Sequence, residues 1–323
     1  MRILVTGGAG FIGSRYVRGL IAGEHAGYEH ADVTVLDKFT YAGNPANLPQ
    51  PHPRLTVVRG DVADGALLAE LLPGHDSVVH FAAESHVDRS VDGGTAFAMT
   101  NVVGTQTLLE ACVTAGVRRV VHVSTDEVYG SITTGSWTES EPLEPNSPYA
   151  ATKAASDLVA RAYWRTHGLD VSVTRCCNNY GPHQYPEKVI PRFVTSLLEH
   201  RTVPLYGDGS NVREWLHVDD HCRAVHLVLR SGRAGAVYNI GGGVHLSNRE
   251  LTERLLAACG ATWASVRHVA DRKGHDLRYS LDDSRIRTEL GWRPQVDFEQ
   301  GLADVVQWYR DNPWWWKPEA AAA

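Results

Sequence analysis

Arg2-Ile3-Leu4-Val5-Thr6 is a short apolar, β-branched run, and Gly7-Gly8-Ala9-Gly10-Phe11-Ile12-Gly13 follows it directly. No other stretch constrains the chain as tightly. A strand that runs into glycines and then into a helix puts bare backbone where a phosphate can approach. Phe11, Ile12, Tyr16, Val17, Leu20 and Ile21 recur at spacings of three and four, so this helix has one apolar face. The glycines fall at Gly7, Gly10 and Gly13, a G-x-x-G-x-x-G spacing rather than G-x-G-x-x-G. The physics is shared: without Cβ atoms the backbone turns tightly, and a pyrophosphate rests on the helix N-terminus. A second apolar strand, Asp32–Asp37, ends in a carboxylate. At that place a carboxylate accepts both hydroxyls of an adenosine ribose and repels a 2′-phosphate, which favours NAD over NADP.

The strand–helix rhythm continues. Residues 55–60, 76–82, 117–124 and 169–175 read as further strands, with helices near 63–72, 95–115 and 149–167. Six strands alternating with helices predict an α/β fold with a doubly wound, parallel Rossmann-type sheet, whose ligands lie beyond the strand C-termini. Asp61 and Val62, after the third strand, are expected near the adenine. Past residue 176 the rhythm loosens. Residues 189–200 read as a helix, 203–209 as a short strand and turn, and 217–230 and 237–242 as a helix and strand returning to the sheet. The expected division is a cofactor domain at 1–180, joined by about 212–245, and a smaller mixed α/β substrate domain from 181–211 and 246–323.

Composition narrows the function classes. The 323 residues are 43% hydrophobic and 21% charged, enough for a core. A net charge of −6 argues against nucleic acid as a partner. The 16 His have no ligand-like spacing, so no metal site is expected. Cys112, Cys176, Cys177, Cys222 and Cys259 are odd in number and form no C-x-x-C pair. They read as reduced packing residues of a cytoplasmic protein. No long apolar run is present, and the N-terminus opens on a strand pattern rather than a signal peptide, so no membrane association is expected.

The chemistry gathers at the end of the fifth strand, where Val120–Val123 runs into Ser124-Thr125-Asp126-Glu127-Val128-Tyr129-Gly130. Downstream, Pro148-Tyr149-Ala150-Ala151-Thr152-Lys153 opens a helix that puts Tyr149 and Lys153 on one face. An ammonium beside a phenol, helped by an oxidised nicotinamide, is expected to lower the phenol pKa and make it a base. Thr125 supplies a hydroxyl to orient a substrate alcohol. Two adjacent carboxylates, Asp126 and Glu127, suit an acid and a base working together on one substrate. Both reach it only if the backbone bends after the strand.

These motifs resemble the extended short-chain dehydrogenase/reductase superfamily, in its nucleotide-sugar branch. Residues 82–90 (A-A-E-S-H-V-D-R-S), 124–130, Asn178-Asn179-Tyr180-Gly181-Pro182, Arg213-Glu214-Trp215 and Gly274-His275-Asp276 narrow the resemblance to the dTDP-glucose 4,6-dehydratases of deoxysugar biosynthesis. It runs from the N-terminus to about residue 310. The resemblance implies a hydro-lyase with a tightly bound, recycled NAD and dTDP-glucose as substrate. It implies catalysis by Thr125, Tyr149 and Lys153, with Asp126 as acid toward O6 and Glu127 as base at C5. Cofactor contacts are expected from Gly7, Gly10, Phe11, Ile12, Gly13, Asp37, Asp61, Val62, Phe81, Ala82, Ala83, Tyr149, Lys153 and Asn178. Substrate contacts are expected from Ser85, His86, Thr125, Asn178, Glu187, Lys188, Tyr206, Arg213, Asn248, Arg272 and His275. Arg213 suits a diphosphate because a planar guanidinium engages its oxygens bidentately. In such enzymes the helices near 95–115 and 149–167 pair across a two-fold, so a homodimer is expected. Competing readings are a nucleotide-sugar 4-epimerase, a UDP- or GDP-linked dehydratase, and an inactive NAD-binding scaffold. Trp314-Trp315-Trp316 reads as packing onto the domain surface, and residues 318–323 as a fraying tail.

Overall fold

The computed structural model describes residues 1–271 and 274–317. Twelve strands follow one another in the described chain: β1 (Arg2–Thr6), β2 (Asp32–Asp37), β3 (Leu55–Arg59), β4 (Ser77–His80), β5 (Arg119–Thr125), β6 (Val171–Cys176), β7 (Asn178–Tyr180), β8 (Val203–Tyr206), β9 (Val212–His217), β10 (Val237–Ile240), β11 (Val244–Ser247) and β12 (Val266–Val269). Seven form one sheet in the order β10-β6-β5-β4-β1-β2-β3, with every neighbouring pair parallel. Parallel pairing on both sides explains the near-continuous Val/Ile/Leu runs, since each strand is covered by helices on two faces. The order reverses between β1 and β4, which opens a crevice beyond the strand ends. The expected parallel sheet is thus present, and residues 237–240 do return to it beside β6.

Two apolar clusters sandwich this sheet. Ile3, Val5, Val35, Val121 and Val228 belong to one; Leu4, Leu36, Val78, Leu108 and Val173 belong to the other. A third cluster, with Phe193, Leu255, Phe298, Val305 and Trp315, forms the core of a smaller body on helices Val189–Leu198, Asn248–Cys259 and Phe298–Asp311. Two small sheets border it, β11-β9-β7 and β12-β8. β9 therefore pairs with β7 and β11, while the following helix Val218–Ser231 packs against the large sheet.

The glycine turn has little room for side chains. Gly7 has φ +66°, and a Cβ there would lie 2.6 Å from Ala82 N. At Gly13 a Cβ would stand 2.2 Å from Gly7 O. Only glycine fits either position. Gly10 caps helix Phe11–Ala22 without a side-chain bond, which leaves first-turn N–H groups directed outward.

Candidate active site

β5 ends at Thr125, and the chain then enters the 3₁₀ turn Asp126–Tyr129. This turn is the bend the sequence required: Asp126 and Glu127 both line one large cavity of about 450 Å³. Thr125 caps the turn, its Oγ1 accepting from Glu127 N at 3.3 Å and donating to Asp126 Oδ1 at 3.1 Å. Tyr129 pins the far end. Its hydroxyl donates to Asn239 Oδ1 at 2.8 Å and accepts from Arg175 Nη1 at 2.7 Å. The buried Arg175 is held by Asp157 Oδ2 at 2.8 Å. Burial drives the Asp157 carboxyl up, but Arg175 and His122 more than offset it and hold the group at about 2.

Asp126 is 2% exposed, and its Oδ2 finds no hydrogen-bond partner among the described residues. Burial, then Glu127, then Glu214 push its carboxyl well above the usual carboxylate range. A buried carboxyl raised in this way is a proton donor near neutral pH.

Helix Pro148–His167 is capped by Ser147, whose Oγ accepts from Ala150 N at 3.1 Å. Tyr149 N donates to Ser90 Oγ at 3.1 Å, which ties the first turn to helix Val87–Asp92. Tyr149 and Lys153 share the buried face and line the cavity. Lys153 Nζ donates to Val123 O at 2.8 Å, and burial pulls its pKa down to about 8. The Tyr149 phenol is pushed well above its usual value by burial, and further by Glu127, Cys176 and Asp126, while the Thr125 hydroxyl beside it pulls the other way. In the protein alone, burial and the neighbouring carboxylates thus favour the neutral phenol.

Asn101 was not singled out from the sequence. It lies in a π-helical stretch, Ala98–Gly104, inside the long helical segment 95–115. Its side chain accepts from Glu84 N at 2.9 Å and donates to Glu84 O and Thr152 Oγ1, both at 3.0 Å. The wider π turn aims it at the loop after β4 and at the Tyr149 helix. The only sequence signal was a polar residue within an apolar helical run.

Gly7, Gly10, Phe11, Ile12, Gly13, Asp61, Val62, Phe81, Ala82 and Ala83 line one end of the cavity with Asp37. Ala9 of the glycine turn is held on both sides. Its N donates to Asp37 Oδ2 at 2.9 Å, and its O accepts from Asn47 Nδ2 at 2.9 Å. Asn47 Oδ1 accepts from Trp315 Nε1 at 2.7 Å and lies 3.2 Å from His183 Nδ1. Trp315 is therefore buried in the smaller core rather than packed on the surface, and it braces Asn47, which in turn holds the glycine turn. Lys38 pairs with Asp61 at 2.6 Å. The glycine cradle, the uncapped helix start and the carboxylate ending β2 fit a dinucleotide.

The other end carries the substrate candidates. Ser85, His86, Asn178, Glu187, Lys188, Tyr206, Arg213, Asn248 and His275 all line the cavity; Arg272 lies outside the described residues. Several already hold one another. Lys188 Nζ donates to Ser85 O at 2.6 Å, and Tyr41 OH donates to Glu187 Oε1 at 3.1 Å. His86 Nδ1 caps helix Val87–Asp92, accepting from Arg89 N at 3.3 Å, and Arg89 stacks 3.7 Å over the Tyr41 ring. Arg213 Nη2 donates to Asp276 O at 2.9 Å, with its guanidinium 4.2 Å over the Tyr279 ring. Tyr279 and Gln184 also line the cavity and carried no sequence signal; Glu84 lines it too, within the 82–90 stretch, without having been named as a contact.

A parallel sheet of this order, with a glycine cradle at β1 and a Tyr–Lys pair facing a Thr at β5, defines an extended short-chain dehydrogenase/reductase. The family model described as GDP-mannose 4,6 dehydratase matches residues 4–305, and the chain belongs to that family. A dTDP-glucose 4,6-dehydratase of Streptomyces antibioticus is 61% identical over 319 residues, 98% of this chain and 95% of that one. Among solved structures, a dTDP-glucose 4,6-dehydratase from Streptomyces venezuelae with NAD bound superimposes with a TM-score of 0.97 at 67% identity, covering 98% of this chain and 99% of that one. The dTDP-glucose 4,6-dehydratase of Bacillus anthracis in complex with NAD gives 0.91 at 47% identity, with coverage of 98% and 99%.

Proposed function

We propose that the protein dehydrates dTDP-glucose to dTDP-4-keto-6-deoxyglucose with a recycled NAD, as a hydro-lyase of deoxysugar biosynthesis. The observation that carries this reading is the turn Asp126–Tyr129, which brings two carboxyls of unlike environment to the cavity wall beside Tyr149. A 4-epimerase moves only the C4 hydride and has no task for an acid and a base at C5 and C6. A scaffold has no need of the buried Thr125, Tyr149 and Lys153.

Gly7, Gly10, Gly13 and the first turn of Phe11–Ala22 hold the diphosphate of NAD, and Asp37 its adenosine ribose. NAD, when bound, would supply the acceptor for the C4 hydride and its donor to C6, together with a cationic ring that would lower the Tyr149 phenol. Tyr149 removes the O4 proton, with Lys153 fixed behind it on Val123 O. Glu127 takes the C5 proton, made acidic by the neighbouring ketone, and Asp126 protonates the departing O6. Glu127 later restores a proton at C5. Each turnover leaves Tyr149 one proton richer and Asp126 one poorer, and the Thr125 hydroxyl adjoins both groups. Arg213, Asn178 and Lys188 hold the nucleotide diphosphate and sugar.

The chain divides into a cofactor domain at 1–180 with about 212–245, and a nucleotide-sugar domain from 181–211 and 246–323. Met99, Val103 and Leu158 are exposed on the helices near 95–115 and 149–167, a face suited to a homodimer. Five free cysteines, four of them buried, suit the cytoplasm, and no helix among the described residues is long and apolar enough to cross a membrane. Mass spectrometry of purified protein with dTDP-glucose and no added NAD tests the reading: loss of one water is expected. An unchanged mass, with and without added NAD, would refute it.

A further inference from the structure

Tyr41 has no part in the chemistry above, yet three separate segments of chain meet on it. It lies in the middle of the loop 38–44, which leaves the cofactor end of the cavity and returns to it. Where the loop starts, Phe39 N donates to Asp37 Oδ1 at 2.8 Å and Lys38 Nζ donates to Asp61 Oδ2 at 2.6 Å. Where it ends, Asn44 N donates to Ala9 O at 3.1 Å. Both roots of the loop therefore stand on the residues that cradle the dinucleotide.

The middle of the loop reaches the substrate side. Tyr41 OH donates to Glu187 Oε1 at 3.1 Å, and the Tyr41 and Tyr185 rings meet edge to face at 5.6 Å. Tyr185 and Glu187 belong to the segment between β7 and helix Val189–Leu198. From helix Val87–Asp92, the Arg89 guanidinium stacks 3.7 Å over the Tyr41 ring, a cation–π contact. His86, which caps that helix, has its Nε2 3.9 Å from Glu187 Oε2. Among the described residues no backbone hydrogen bond joins these three segments to one another, so side chains hold them together. Lys188 Nζ on Ser85 O ties two of them, and Tyr41 is common to all three.

The place of this cluster matters. Thr40, Ala42, Glu84, His86, Tyr185 and Glu187 line the cavity, whereas Tyr41 and Arg89 do not. Tyr185 lines it while 39% exposed, so the cavity meets solvent there. Tyr41 thus stands one layer behind the wall, at the mouth. Burial, then Glu187 and Glu84, hold its phenol above the usual range, so the hydroxyl stays a donor to the carboxylate.

We infer that Tyr41 is a positioning residue that clasps the cofactor loop to the substrate side and so holds NAD from one turnover to the next. This rests on the dehydratase reading, in which NAD is regenerated within each cycle and is not a product that must leave. For NAD to escape past the loop 38–44, the Glu187 bond and the Arg89 contact must break together. Tyr41 lies outside the cavity wall and acts on release rather than on chemistry.

The test is the rate at which NAD leaves NAD-loaded wild type, Tyr41→Phe, Tyr41→Ala and Arg89→Leu, captured as NADH by alcohol dehydrogenase and ethanol. Tyr41→Ala removes ring and hydroxyl and should release NAD about thirtyfold faster than wild type. Tyr41→Phe keeps the ring and should release it about fivefold faster, and Arg89→Leu, which removes the cation alone, about threefold faster. With NAD in excess, kcat for dTDP-glucose dehydration should stay within about twofold of wild type in all three. Amide hydrogen exchange should quicken at 38–44 in Tyr41→Ala and stay unchanged in the seven-stranded sheet, which separates an open clasp from a weakened fold. Release from Tyr41→Ala and Tyr41→Phe at the wild-type rate, or a kcat that falls equally with and without excess NAD, overturns the inference. Faster release from the variants of a wild type that makes no dehydrated product supports the clasp and overturns the functional reading.

Discussion

The cavity wall that carries Thr125, Asp126, Tyr149 and Lys153 stands on a strand end and the first turn of a helix. The facing wall, with Glu187, Tyr206, Asn248 and His275, stands on two loops, the last residue of β8 and the first residue of helix Asn248–Cys259. On the first wall the groups are buried, held by backbone carbonyls and caps, and displaced from their ordinary proton affinities. On the second they are partly exposed and hold one another: the Tyr206 and His275 rings lie 6.4 Å apart, and His275 Nδ1 is 2.7 Å from Asp271 Oδ1. Dryness and rigidity suit proton transfer, whereas pairs of half-wet groups suit a ligand that replaces one partner by another. The difference separates a wall that does chemistry from a wall that selects what reaches it.

Substitutions can break this division. Asp126→Asn with Glu127→Gln should have the largest effect, a loss of dehydration by about 10⁴-fold, with no deuterium entering C5 from heavy water. Deuterium at C5 in that variant, read by mass spectrometry, would mean another base serves the site. Tyr149→Phe should lower kcat by about 10³-fold while substrate affinity, measured by calorimetry, changes little. Retained turnover would remove Tyr149 from the chemical wall. Arg213→Lys should act on binding, raising KM about tenfold because an ammonium cannot form the fork. A fall in kcat alone would move Arg213 across the division. The smallest effect is expected at Asp37→Ala, where the preference for NAD over NADP in binding assays should narrow by roughly fivefold, about 1 kcal/mol. Unchanged discrimination would show that Asp37's whole role is to accept from Ala9 N and, at 2.8 Å, from Phe39 N.

The chemical wall was largely legible because it depends on local order. A β-branched run, a glycine turn and a 3.6-residue period each follow from neighbouring residues. Boundaries moved slightly where pairing decides them: β5 runs Arg119–Thr125 against an expected 117–124, because Thr125 pairs with Cys176 of β6. The binding wall was less legible. β7 is Asn178-Asn179-Tyr180, polar and three residues long, and exists because β9 lies beside it. Nothing local in Val212–His217 announces a strand shared by two partners. The Lys153–Val123 bond and the π turn at Asn101 were invisible for the same reason, since each is set by a packing contact between separate elements.

Asn47 has a consequence in time as well as in space. The glycine turn is made first, yet its bond through Asn47 to Trp315 spans 268 residues of chain. During synthesis the nucleotide loop therefore exists long before the indole that braces it. Its hold on the dinucleotide should mature last, when the smaller core closes around Trp315. A chain cut before that residue should release NAD faster than the intact protein, even with its seven-stranded sheet complete.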